Sequence, residues 1–156
     1  MQPFPHRYQV TAAADPSSDV MLDSGGADTL STASPAEFGG PGNRWSPETM
    51  LVGAVANCFI LTFRSLATYS RLRWLSLTCE VDGTLDRLER VTQFTGFAIR
   101  AVLRLPEGAN AEQAHRLLAR AEETCLVTAS LKAPAHLDAE IEVVRGERAP
   151  QELAVP

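Results

Sequence analysis

The sequence predicts an α+β fold in a single domain of 156 residues. Two segments carry helical signals, and several shorter segments alternate apolar and polar residues with the period of a strand. No strand–helix–strand alternation is apparent, so we expect meanders of antiparallel strands rather than a parallel sheet. A chain of this length can form one self-sufficient core, and we therefore expect one domain over 1–156, with a frayed tail at 146–156.

The N-terminal part predicts short strands followed by a loop. Apolar and polar residues alternate over 8–12 and again over 20–22, with a turn cluster between them, which is typical of a hairpin. A further short strand is predicted near 28–31. Residues 32–43 are rich in Gly and Pro and have no period, so they are predicted to form a loop.

A long first helix is predicted to begin after this loop. Ser46 is a good N-cap, Pro47 suits the first helical position, and Glu48 lies favourably at the positive end of the helix dipole. The helix is expected to end at about Ser70. Its segment 50–63 is apolar on nearly every face, so the helix must be covered on nearly every side.

The need to bury the apolar faces of this helix predicts a homodimer. Small residues in the segment "GAVA", at 53–56, would let another backbone approach closely, and an identical helix across a two-fold axis is an economical partner. The alternative is a central helix that is wholly enclosed in a monomer.

The C-terminal half predicts three strands and a second helix. Apolar residues recur with a period of two over 75–81 and again over 97–105, with a charged turn between the two strands. Asn110 begins a capping box for the second helix, and Cys125 lies on the buried stripe near the end of that helix. A last strand is predicted over 137–143.

Composition excludes several classes of function. The net charge is -5, and no basic block is present, so we expect no nucleic-acid partner. The N-terminus does not resemble a secretory signal, and the apolar run of the first helix is too short to span a bilayer, so we expect a cytoplasmic protein with no membrane partner. No spacing of Cys and His matches a zinc pattern, and no metal or cofactor is expected.

The three cysteines, Cys58, Cys79 and Cys125, are the candidate reactive groups. A buried thiol is most often inert, and we expect Cys79 to be a core residue. Cys58 lies three turns inside its helix, so its activation would require a nearby cation such as an arginine. Glu48 precedes Cys58 by ten residues, about 15 Å along a helix, so it could help only across a dimer or through an arginine. The alternative is that Glu48 is only a negative charge at the N-terminus of the helix, with no role in the reaction.

Two stretches of sequence resemble one known family. The stretch "EFGGPGNRWSPETMLVGAVANCFILTF", followed by "RAEETCLVTASL", is similar to the OsmC/Ohr family of thiol peroxidases, over about residues 38–144. The resemblance implies an OsmC-like fold as an intertwined homodimer. It also implies that Cys58 is the peroxidatic cysteine, that Cys125 is the resolving cysteine, and that Glu48 is the family's glutamate.

The resemblance implies a peroxidase that reduces organic hydroperoxides. A Cys58 sulfenic acid would condense with Cys125 to a disulfide, and an external dithiol, of the dihydrolipoyl type, would reduce it. The chain departs from the family's pattern in two ways. No arginine matches the one that lowers the thiol pKa, which leaves Arg44 and Arg7 as substitute candidates, and Leu126 follows the second cysteine where proline is usual.

Two other functions remain open at this point. One is a non-catalytic protein that binds a small apolar ligand on the same scaffold, with the cysteines as remnants. The other is a peroxide sensor, which is less favoured because no interaction tail or nucleic-acid surface is evident. Turnover of peroxide would separate an enzyme from both.

Overall fold

The computed structural model describes residues 2–146. Within these residues the chain folds as two compact units, which divide between residues 51 and 52, within the first long helix. Except for Gly146, the predicted frayed tail lies outside the described residues.

The first unit contains a small antiparallel sheet. Its strands are β1 (Thr11–Ala13), β2 (Val20–Asp23) and β3 (Leu30–Thr32), in that order across the sheet. The register pairs Thr11 with Asp23 and Val20 with Thr32, which confirms the predicted hairpin and the following short strand.

Helix α1 (Pro47–Tyr69) begins where the sequence predicts it. The Ser46 hydroxyl accepts a hydrogen bond from the backbone N–H of Thr49 at 3.2 Å, as an N-cap does. The helix ends as Arg71 adopts a positive φ of 54° and the N–H of Leu72 donates back to the carbonyl of Ala67 at 2.9 Å. This is a Schellman-type ending, and it occurs close to the predicted end at Ser70.

Only one stripe of α1 is buried within the chain. The buried residues recur every four positions, at Val55, Phe59, Phe63 and Ala67. The other apolar side chains of the helix are half-buried or exposed. Among the described residues, α1 is the one helix long and apolar enough to cross a membrane by length and composition, a test that the core helices of soluble proteins also pass. Within the single chain, most apolar residues of α1 outside this stripe are therefore only partly covered.

The second unit contains a three-stranded mixed sheet. Strands β4 (Ser76–Leu88) and β5 (Val91–Pro106) form a long antiparallel hairpin, and β6 (Ala135–Val144) pairs with β5. The apolar face predicted for β5 is confirmed, since its inward-facing side chains are buried: Phe97, Ile99, Ala101, Leu103 and Leu105.

One prediction about this sheet is wrong. Strands β5 and β6 are parallel, with α2 (Ala111–Glu123) as the crossover between them, so the chain does contain a strand–helix–strand unit. The buried side chains of α2 lie on one face, at Ala114, Leu118 and Ala121. Because α2 carries the chain back along its own length, the next strand enters the sheet in the direction of β5.

The start of α2 connects the two helices of this unit. Asn110 is the N-cap, and its side-chain oxygen accepts from the N–H of Gln113 at 2.9 Å, as predicted. The reciprocal half of the capping box is not formed. Instead the Gln113 side-chain amide donates to the carbonyl of Ser70 at 3.0 Å, which links the beginning of α2 to the residue after α1.

Candidate active site

Cys58 lies on α1 and lines a surface pocket. Its side chain is half-buried, and its Sγ lies 4.0 Å from Oγ1 of Thr62, one helical turn further on. The pocket has a volume of about 530 Å³ and belongs entirely to the second unit. Its lining comes from α1 and from the turn after α2, and consists of Ala54, Asn57, Cys58, Leu61, Thr62, Ser65, Thr124, Leu126 and Val127.

Cys125 lies directly after α2, where the chain turns towards α1. The sequence predicted Cys125 on the buried stripe near the end of the helix. The helix ends at Glu123, so Cys125 lies two residues beyond it. Its side chain is only 1% exposed. The carbonyl of Cys125 accepts from the N–H of Ala129 at 3.0 Å and from the hydroxyl of Thr128 at 3.1 Å, and these bonds hold the turn in place.

The structure brings the Cys58 and Cys125 side chains together. They lie near each other, although 67 positions separate them in the sequence. The first helix supplies one thiol, and the end of the second helix supplies the other. This is the arrangement that a two-cysteine redox cycle needs, because an oxidised thiol must meet its partner without a large movement of the chain.

The pKa of the Cys58 thiol reflects opposing influences. Burial raises this pKa, but the backbone N–H of Val127 lowers it, and the side chains of Cys125 and Thr62 and the backbone N–H of Leu126 lower it further. The net result is a pKa below that of an ordinary thiol. All of these donors are electrically neutral, whereas the sequence predicted that a cation would be needed.

Cys79 lies near the same cluster but has the opposite character. It is half-buried on β4, on the face predicted to point into the core. Burial is the main cause that raises the pKa of Cys79 to about 11. The thiol is therefore protonated at neutral pH, which agrees with its predicted role as a core residue.

Glu48 belongs to the first unit and lies in the first turn of α1. Its Oε2 atom is buried and has no hydrogen-bond partner among residues 2–146. In the same unit, Nε of Arg44 donates to Oδ2 of Asp19 at 2.9 Å, and Arg7 is exposed. The roles predicted for Glu48 and for the two arginines stay predictions.

Sequence reasoning did not select three residues beside Cys58, namely Thr62, Leu126 and Val127. The spacing of Cys58 and Thr62 by four on a predicted helix could have identified Thr62. Leu126 and Val127 act through backbone groups, which every residue except proline carries, so no side-chain pattern could have found them. Within residues 2–146, no three His, Cys, Asp or Glu side chains converge as a metal site.

Comparison by sequence finds a family and a relative. A family model described as OsmC-like protein matches residues 40–140. A Bacillus subtilis (strain 168) protein, named uncharacterized protein YmaD, is 29% identical over 115 residues, which are 72% of this chain and 77% of that protein.

Comparison by structure finds the same fold in solved proteins. An OsmC-like protein of unknown function from Vibrio cholerae superposes with a TM-score of 0.76 at 16% identity, over 90% of this chain and 100% of the other. An organic hydroperoxide resistance protein OsmC from Legionella pneumophila superposes with a TM-score of 0.68 at 23% identity, over 89% of this chain and 100% of the other. At these identities the likeness concerns the fold.

Proposed function

Because the chain belongs to the OsmC-like protein family, we propose that it is a thiol-dependent peroxidase that reduces organic hydroperoxides. The observation that carries the proposal is the position of Cys58 at the wall of a surface pocket, beside the turn that carries the buried Cys125. The name of the Legionella protein, organic hydroperoxide resistance protein, supports the same class of substrate.

The first step is the attack of Cys58 on the peroxide. The thiolate attacks the distal oxygen of the hydroperoxide, the O–O bond breaks, and the departing alkoxide takes up a proton to leave as an alcohol. Cys58 is oxidised by two electrons to a sulfenic acid. The lowered pKa of Cys58 favours this step, since the thiolate is the nucleophile.

The second step resolves the sulfenic acid within the chain. The sulfur of Cys125 attacks Sγ of Cys58 and a disulfide forms, while the S–O bond breaks and the hydroxyl group leaves as water with the proton that the Cys125 thiol gives up. An external dithiol, for which we propose the dihydrolipoyl type, then returns two electrons by exchange and restores both thiols. Because Cys125 is buried beside Cys58, this step needs no external thiol.

The lining of the pocket favours an organic substrate. Next to Cys58 it presents the apolar side chains of Ala54, Leu61, Leu126 and Val127. An alkyl or aryl tail would bury apolar area against them, at about 25 cal/mol per Å², and hydrogen peroxide has no such tail. We therefore expect faster turnover of cumene hydroperoxide than of hydrogen peroxide.

A homodimer is part of the proposal. Within the chain only one stripe of α1 is buried, so a second copy of this apolar helix is a suitable cover for its other faces. The buried Oε2 of Glu48 lacks a donor among the described residues, and such an atom costs about 1–3 kcal/mol unless it is paired. We propose that Glu48 finds its partner across the dimer, and that the protein works in the cytoplasm.

The test is a consumption assay with cumene hydroperoxide and dihydrolipoamide. The wild-type protein should consume cumene hydroperoxide catalytically, and Cys58→Ser should be inactive. Cys125→Ser should react with one equivalent of peroxide without completing a disulfide cycle. Cys79→Ser is the matched control, because it removes a thiol outside the proposed cycle, and it should retain activity. If wild type with reduced thiols consumes no more peroxide than Cys58→Ser, the peroxidase is refuted in favour of a ligand-binding protein.

A further inference from the structure

Two backbone amides in the turn after α2 are uncommitted donors beside Cys58. Within residues 2–146, the N–H groups of Leu126 and Val127 donate to no carbonyl and to no side-chain oxygen. The amide of Cys125 donates to a carbonyl of α2, and that of Ala129 donates to the carbonyl of Cys125. The amide of Thr128 also donates to no carbonyl among residues 2–146, but Thr128 does not line the pocket. Leu126 and Val127 both line the pocket together with Cys58.

The turn that carries these amides is held in place by its own hydrogen bonds. The carbonyl of Leu126 accepts from the hydroxyl of Ser130 at 2.8 Å, and the carbonyl of Val127 accepts from the N–H of Ser130 at 3.0 Å. Donors fixed in this way need little reorganisation when charge appears on the sulfur. Since residue 126 is leucine and not proline, its amide has a proton to donate.

We propose that the backbone N–H groups of Val127 and Leu126 take the place of a cationic side chain and hold Cys58 as its reactive thiolate. The proposal rests on the function proposed above in taking Cys58 as the nucleophile. The thiol of Cys125 and the hydroxyl of Thr62 complete the set of neutral donors around the sulfur. Hydrogen bonds to an ionised acceptor are roughly twice as strong as neutral ones, so amides can supply this stabilisation.

Val127 provides the sharper test because its backbone conformation suits proline. Its φ is -70°, close to the value that a proline ring imposes, so Val127→Pro removes the N–H without requiring a new φ. Val127→Ala is the matched control, since it shortens the side chain and keeps the amide. The measurement is the rate of alkylation of Cys58 by iodoacetamide as a function of pH, followed by mass spectrometry of its peptide.

The midpoint of this pH profile should move to higher pH in Val127→Pro and stay in place in Val127→Ala. Loss of one charge-assisted hydrogen bond should lower the thiolate fraction at pH 7 by about tenfold. A more basic thiolate is also a better nucleophile, so the alkylation rate should fall by only about threefold. If both variants are folded by circular dichroism and share the wild-type midpoint, the proposal is overturned.

A second pair of variants tests the proposal independently, in case Val127→Pro does not fold. Leu126 is 76% exposed, so Leu126→Pro and Leu126→Ala perturb little packing, and again only the proline variant should move the midpoint. The substitutions Arg44→Gln and Arg7→Gln should leave the midpoint of the alkylation profile unchanged. A midpoint at higher pH in either arginine variant would overturn the proposal. Alkylation requires no peroxide, so a shifted midpoint in a protein without turnover would refute the peroxidase and support the amide donors.

Discussion

Replacing Gly83 by alanine tests how closely α1 packs on β4. A Cβ atom at Gly83 would lie 2.6 Å from Cγ2 of Val52 on α1 and 2.8 Å from Cε1 of Phe94 on β5. Carbon atoms in contact prefer about 3.5–4.0 Å, so at least one neighbour must retreat by about 1 Å. Val52 is β-branched and stiff at χ1, so the helix backbone would have to share the displacement.

The expected cost follows from these distances. Overpacking of this kind costs about 1–3 kcal/mol, and alanine recovers roughly 0.5–1 kcal/mol because glycine is unfavourable inside a strand. The middle values of the two ranges differ by about 1.3 kcal/mol, so we expect Gly83→Ala to lower the free energy of unfolding by about 1–2 kcal/mol. For a chain of this length, that loss corresponds to a decrease in Tm of roughly 2–8 °C. Denaturant unfolding followed by circular dichroism measures the change in the free energy of unfolding.

Gly96→Ala is the matched control within the same hairpin. The nearest atom to a Cβ at Gly96 is the carbonyl oxygen of Pro134 at 3.9 Å, an ordinary contact, so this variant should be neutral or slightly stabilising. Adding Val52→Ala to Gly83→Ala removes the clashing methyl group and should restore part of the loss. Equal stability of the Gly83 and Gly96 variants would refute the close approach of α1 to β4.

Two further predictions concern the assembly and the thiols. Light scattering should give twice the chain mass of 16.9 kDa, because a second copy would complete the partial cover of the apolar residues of α1. A single-chain mass would contradict the dimer. Iodoacetamide at pH 8 should modify Cys58 well before Cys79, since a pKa of about 11 leaves only about one Cys79 thiol in a thousand ionised. Equally fast modification of Cys79 on the folded protein would contradict this assignment.

The direction of β6 shows a limit of sequence reasoning. The alternation over 137–143 correctly predicted a strand, observed as Ala135–Val144. Alternation is the same in either direction, however, so it could not show that this strand runs parallel to β5. That outcome depends on α2, which packs its buried face and returns the chain before the strand begins.

The sequence by itself determined the positions of the helices and strands, because periodicity and capping are local properties. Ser46 and Asn110 cap the two helices as predicted, and the two stretches around Cys58 and Cys125 carried the resemblance to the family. What only the tertiary structure decided is the environment of the Cys58 sulfur. The sequence predicted a need for a charged side chain, whereas the groups beside the sulfur are the neutral residues of the turn after α2, whose position depends on how that turn packs beside α1.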